Sequence, residues 1–324
     1  MKHELRMVII ILAMFVITQF IGIYVVYSDP FHISQEVNGT IQQVSNPVLS
    51  WMDNSQVIQP SDYSAYFGSM VFSFIFSIAL LFLLIKFKVK FVLKSWFLLV
   101  IVFSLFLSFT ALLPEKTFFA FPLVIALTLA FLKMFQRNIL IHNLTELLIY
   151  PGIATVFVSL LNFWSVICLL ILISIYDMWA VWHSGIMQKM AKYQMNELKV
   201  FGGFFVPYVS KKLKEQLKKL RKLKKSERKK KKIKANIAIL GGGDIFYPLL
   251  TAGVILRLKQ VALPFGLPAF IGGFIPSLFV IAGATLGLSL LFLYSEKKKF
   301  YPAMPFITAG IFLGIILSYL FVSL

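Results

Sequence analysis

What this 324-residue chain has little of narrows its chemistry first. It has one cysteine, Cys168, inside an apolar stretch, so an internal disulfide is excluded and a cysteine-based metal site is disfavoured. Histidines number four, and no pair of them stands with a glutamate at the helical spacing of a zinc protease. His142 and His183 fall near the ends of apolar stretches and read as interfacial side chains rather than ligands, so neither a metal nor a cofactor is expected. Ser184 follows His183 directly, which is not the Ser and His on facing helices that an intramembrane serine nucleophile needs. Charged residues of both signs make up only 14% of the chain, and 13 acids stand against 32 Lys and Arg, a formal net charge of +19. In a soluble domain that excess would suggest nucleic acid. Here the basic residues lie between apolar stretches and lack interleaved aromatics, so they set membrane orientation and no nucleic-acid partner is expected.

What is abundant is apolar sequence: 59% hydrophobic residues and a mean hydropathy of +0.85. The chain is therefore an all-α polytopic membrane protein. Nine stretches are long enough to span: Met7–Tyr27, Phe67–Ile85, Phe91–Leu113, Thr117–Met134, Leu140–Leu161, Phe163–Trp182, Ala235–Leu256, Leu267–Tyr294 and Ala303–Leu324. The first has a signal-like start but is too long and lacks a small-residue cleavage site, which reads as a retained anchor. The connection from Ser28 to Tyr66 carries Asp29, Glu36, Asp53 and Asp62 with no Lys or Arg, whereas Lys86, Lys88, Lys90 and Lys94 cluster at the next turn. That asymmetry predicts a cytoplasmic N-terminus and, with nine spans, a C-terminus outside. Lys116, Arg257 and Lys259 alone run against it. Between the sixth and seventh spans, residues 184–234 form a basic cytoplasmic loop. It is amphipathic over Met187–Leu198, apolar over Val200–Val209, and Lys-rich with Leu213, Leu217, Leu220 and Leu223 at helical spacing. The Lys-rich part suits either a helix on an anionic inner leaflet or, over Lys224–Lys234, a solvated linker.

Acids inside apolar stretches are costly and so mark function by default. Asp177 lies in the sixth span. Asp244 lies in the seventh, after Gly241-Gly242-Gly243 and four residues before Pro248, in what reads as a weakened, closely approachable piece of helix. Counted from the cytoplasmic ends at 1.5 Å per residue, Asp177 is about 9 Å and Asp244 about 12 Å deep on antiparallel helices, so the two carboxylates can meet. Two carboxylates sharing a proton are the machinery of aspartic proteolysis. Taken singly, Asp244 also fits a structural acid. Glu146, at similar nominal depth in the fifth span, reads as interfacial. A proton- or cation-coupled transporter is the competing use for intramembrane acids, although no inverted repeat supports it.

Tyr176-Asp177, Gly241-Gly242-Gly243-Asp244 and Pro302-Ala303-Met304 resemble the Tyr-Asp, Gly-Xaa-Gly-Asp and Pro-Ala-Leu signatures of the intramembrane aspartyl proteases, the presenilin and signal peptide peptidase family. Nine spans with a long loop between the two Asp-bearing helices resemble it as well. The resemblance implies a presenilin-like fold, Asp177 and Asp244 as the catalytic pair, and transmembrane helical proteins as substrates. Tyr176, Gly241, Gly242, Gly243, Pro302, Ala303 and Met304 would then help position substrate. It also implies that a substrate helix must open, and that residues near Val200–Val209 or just before Ala235 lend it strand-like partners. Met304 replaces the usual Leu, and Gly242 stands at a variable position where many members carry a large apolar residue. The expected organisation is a five-helix scaffold, 1–162, and a four-helix catalytic region, 163–324. The N-terminal orientation resembles presenilin, and the small size resembles an archaeal member, which implies a prokaryotic plasma membrane.

Overall fold

Hydrocarbon offers no partner to backbone N–H and C=O groups, so long apolar runs fold as helices that satisfy those groups internally. The computed structural model describes residues 5–37, 40–50, 62–87, 89–114, 118–136, 138–184, 201–208, 236–258, 269–295 and 301–322. Among them are nine α-helices, one for each apolar stretch: α1 Leu5–Ser28, α2 Asp62–Lys86, α3 Lys90–Leu112, α4 Ala120–Phe135, α5 Ile139–Leu160, α6 Phe163–Trp179, α7 Gly242–Leu258, α8 Ala269–Tyr294 and α9 Met304–Val322. Six of these, α1, α3, α5, α6, α8 and α9, are long and apolar enough to cross a membrane on length and composition alone. The segments Met187–Leu198 and Leu213–Lys234, and the flanking Lys116, Lys259 and Lys297–Lys299, lie outside the described residues.

The centre of the bundle is α7. It packs against α1, α5, α6, α8 and α9, and its residues from Pro248 to Leu256 are all buried. That is the signature of a helix apolar on every side. Lipid tails are as apolar as leucine, so helix pairing here relies on close packing of small residues. Between α8 and α9, Gly283 faces Gly310, where a Cβ on either would overlap the other's carbonyl oxygen; Gly287 and Gly314 sit equally close to the Phe306 and Phe279 carbonyls. A separate cluster joins α3, α4 and α5 through Leu105, Ala126, Ala130 and Ile149.

Two features depart from the sequence reading. The seventh span is not helical throughout. Asn236–Gly241 is a strand, β4, antiparallel to β3, Gly203–Tyr208, in the register Gly203↔Gly241 to Tyr208↔Asn236. The helix begins only at Gly242, because Ile237 to Leu240 find a cross-strand partner in residues 203–208. The connection after α1 carries a further hairpin, β1 His32–Val37 with β2 Thr40–Ser45. Its signal was the Asn38-Gly39 dipeptide between two stretches rich in β-branched residues.

At the end of the bundle remote from β3 and β4, Arg257 Nη2 lies 3.3 Å from Asp29 Oδ2 and its Nη1 donates to Ser159 Oγ at 2.8 Å. Asp29 holds a positive φ of 39° and also meets His32 Nδ1 at 3.1 Å. A basic residue that ran against the charge asymmetry is thus paired with an acid of the acidic connection.

Candidate active site

Asp177 stands near the C-terminal end of α6, where the helix passes into a π-turn over Ala180–Ser184. Such turns recur at functional sites. It is buried, with 7% of its surface exposed. Pro302, Ala303 and Met304 lie opposite, at the start of α9. Ala303 accepts the first helical bond of α9 from the Ile307 N–H at 3.1 Å, so the preceding N–H groups have no carbonyl one turn back. Asp177 satisfies them: the Met304 N–H donates to its Oδ2 at 3.0 Å, and the Ala303 N–H reaches it too. A carboxylate at a helix N-terminus meets both free donors and the positive end of the helix dipole. Pro302 needs no acceptor. One turn further along α9, Thr308 Oγ1 lies 2.8 Å from Ser174 Oγ, tying the two helices together beside Asp177. Met304 is 3% exposed and fills the core, as a volume-conserving replacement for leucine should.

Asp244 is the third residue of α7, and its side chain reaches back to the Gly241 N–H. That is the returning half of a capping box, in which an acid in the first turn satisfies the donor just before the helix. A Cβ at Gly241 would lie 3.1 Å from Asp244 Oδ2, so a side chain there would press on the carboxylate. Asp244 is partly exposed and lies close enough to Asp177 for the two charges to act on each other. Tyr176 and Tyr247 line the same space, with Tyr247 in electrostatic reach of both Asp244 and Tyr176. Pro248 cannot donate to the Asp244 carbonyl, which weakens this first turn. Gln19, fully buried on α1, braces the turn by donating its Nε2–H to the Ile245 carbonyl at 3.0 Å.

Gly242 borders a different group. A Cβ there would lie 2.7 Å from the Tyr150 hydroxyl and 3.1 Å from its Cε1. Tyr150 occupies the space a side chain at position 242 would need. Its hydroxyl donates to Glu146 Oε2, and Lys133 Nζ pairs with Glu146 Oε1. The interfacial reading of Glu146 is overturned: its side chain is 2% exposed and that of Lys133 3%. A buried carboxylate persists when a cation and neutral donors surround it. The cation lies thirteen residues back, on α4, where sequence spacing gave no sign of it. Gly243, by contrast, has room, with only the Tyr247 ring 3.5 Å from a notional Cβ. Sequence reasoning had no signal for Gln19, Ser174, Thr308 or Tyr247, which are ordinary residues of apolar helices until their partners are known.

The arrangement brings two carboxylates within electrostatic reach of each other, one near a helix end and one at a helix start, with a partly open approach. A protein-family model described as signal-peptide peptidase, presenilin aspartyl protease matches residues 43–324. Two solved structures are similar to the chain. One is a presenilin family intramembrane aspartate protease in the C222 space group, 17% identical, with 97% of this chain and 99% of that chain covered at a TM-score of 0.59. The other is a presenilin family intramembrane aspartate protease in the P2 space group, 18% identical, with 96% of each chain covered at a TM-score of 0.53. At such identity the likeness is one of fold. No curated protein matches the sequence.

Proposed function

The chain belongs to the signal-peptide peptidase, presenilin aspartyl protease family and is a multi-pass intramembrane aspartic endopeptidase, and from this we propose that its catalytic pair is Asp177 and Asp244. The observation that carries the assignment is that α7, which bears Asp244 in its first turn, packs against both α6 and α9, where Asp177 is seated on the Met304 N–H. The transporter use of the acids has no support in the family.

In the proposed reaction one carboxyl is protonated and the other ionised, since two adjacent carboxylates cannot both hold a charge cheaply. The ionised one takes a proton from water as the water oxygen attacks the scissile carbonyl carbon, and the protonated one gives its proton to the carbonyl oxygen. Collapse of the resulting gem-diol returns a proton to the amide nitrogen as the C–N bond breaks, leaving a carboxylic acid and an amine. A substrate helix hides its peptide bonds in i→i−4 pairs, so an opened segment needs new partners. The outer edge of β4 supplies them. The N–H and C=O groups of Gly203 and Phe205 point away from β4, so by the alternation of an antiparallel pair those of Ile237 and Ile239 point away from β3. They have no bonded partner among the described residues, and they lead straight into Gly241 and Asp244. Tyr176 and the residues from Gly241 to Gly243 border the same opening. Pro302, Ala303 and Met304 act through Asp177, which their backbone holds.

The test is cleavage of a transmembrane peptide by purified protein in detergent. Asp177→Asn and Asp244→Asn should each lower the rate by at least about a hundredfold with insertion and folding intact; appreciable activity in either variant at normal expression removes it from the pair. The N-terminus is proposed to be cytoplasmic, with water entering from that side and the 184–234 loop lying on the anionic leaflet of a prokaryotic plasma membrane. In a Cys168→Ser background, an impermeant thiol reagent added outside should label Asn38→Cys and spare Lys225→Cys. The opposite pattern inverts the topology. The division into scaffold, 1–162, and catalytic region, 163–324, is proposed as one of roles.

A further inference from the structure

The hairpin beside Asp244 has two edges, and only one is open. Along β3 the outward-facing groups of Gly203 and Phe205 are met by side chains from the first two turns of α5. The Gly203 N–H donates to Glu146 Oε2 at 3.1 Å, and the Gly203 carbonyl accepts from His142 Nε2 at 2.8 Å. The Phe205 N–H donates to Asn143 Oδ1 at 3.0 Å, while the Phe205 carbonyl accepts from Asn143 Nδ2 at 2.8 Å. One amide side chain thus reproduces both bonds that a residue of a neighbouring strand would make. The next outward-facing position is Pro207, which has no N–H to leave unmet. Side-chain packing reinforces the match, with the His142 ring stacked on Phe205 at 4.6 Å between centroids.

The helix that makes these bonds is itself anchored. Glu146 is held by buried Lys133 of α4 and by Tyr150, and Tyr150 abuts Gly242, two residues before Asp244. The network therefore touches the sheet at β3 and the catalytic helix at its first residue. β3 also packs on α1, whereas the main contacts of β4 are with β3 and α7.

We infer that His142, Asn143 and Glu146 act as a built-in third strand that closes β3 and fixes the height of the hairpin relative to Asp244. They are positioning residues that set which peptide bond of an extended substrate reaches the acids. A clamp of this kind confines an incoming segment to β4 and holds its register, because a two-residue slip of the sheet along its neighbour would present a different peptide bond. The inference rests on the reading in which substrate adds to the β4 edge.

The experiment compares Asn143→Leu, Asn143→Asp and Ile239→Pro with the unaltered chain, using one transmembrane peptide and mass spectrometry of the products. Asn143→Leu removes both bonds to Phe205; Asn143→Asp removes only the donor and keeps the acceptor. The expected result is cleavage spread over neighbouring bonds and a raised KM in both, stronger in the first, with a hydroxyl-containing peptide mimic of the gem-diol still bound, more weakly in step with the KM. A merely structural role would instead lower kcat through loss of active protein, at the original KM and the original cleavage position, and that outcome overturns the inference. Asn143→Asp is nearly isosteric and keeps the measurement possible if the leucine variant does not fold. Ile239→Pro deletes a donor that faces away from β3, so it leaves the β3–β4 bonds whole and should abolish cleavage. If it cleaves normally, the strand-addition reading itself is wrong. If it is inactive while both Asn143 variants keep the original KM and products, only the clamp is wrong.

Discussion

Two groups of intramembrane acids lie at the same end of the bundle, and they are treated in opposite ways. Glu146 has its full complement: a lysine on one oxygen, a tyrosine hydroxyl and a backbone N–H on the other. Among the described residues, Asp177 and Asp244 receive backbone N–H groups only, and no cation pairs with either. A carboxylate saturated with donors and matched to a buried cation has nothing left to exchange with a substrate. One that faces a second carboxylate and keeps free lone pairs can hold, lose and regain a proton. Burial alone therefore does not distinguish a structural acid from a catalytic one; the partner set does. The difference also explains why similar nominal depth does not make Glu146 a third catalytic acid.

The largest effect should come from neutralising each acid in turn. Asp244→Asn is expected to remove activity while leaving the unfolding transition in detergent nearly where it was. Glu146→Leu should do the reverse in the first instance, lowering stability before chemistry, since it leaves Lys133 buried without its counter-charge. If Asp244→Asn destabilised the protein as much as Glu146→Leu, the contrast between the two groups would be lost. Next in size is Lys133→Met, which strands Glu146 and should cost about 3–5 kcal/mol. Adding Glu146→Leu to it should recover part of that loss in the same denaturation assay. Recovery of nothing would show that the pair is not the unit that stabilises this end. Smaller again is Gly242→Leu, whose side chain collides with Tyr150. It should impair both activity and stability, and Tyr150→Ala in the same chain should relieve the clash. The smallest is Ser174→Ala, which removes the bond to Thr308 beside Asp177. Such interhelical bonds are worth about 0.6 kcal/mol, so stability should scarcely change and any fall in kcat reports the loosened seat of Asp177.

How much of this could be read in advance follows from how far apart the interacting residues are. The nine helices came from a local property, the length and hydropathy of each run, and each expected stretch holds a helix. The two acids were conspicuous for an equally local reason: a charge in an apolar run is rare because it is expensive. Their capping was half legible. Asp244 follows Gly241 at the spacing of a capping box, but the N–H groups that hold Asp177 belong to residues 126 and 127 positions later.

By itself, then, the order of residues determined how many helices there are, which of them carry acids, and where the glycines allow close approach. Only the tertiary structure decided that α7 starts at Gly242 and not at Ala235, since Ile237 to Leu240 become a strand by pairing with residues 203–208 across a long insertion. It also decided that Glu146 is inert, because its neutralising lysine arrives on another helix and its backbone partner on a strand 57 residues away. Hydropathy is summed along the chain, whereas hydrogen bonds and ion pairs are satisfied across it. A polar group in hydrocarbon takes its meaning from whichever distant residue the packing brings to it.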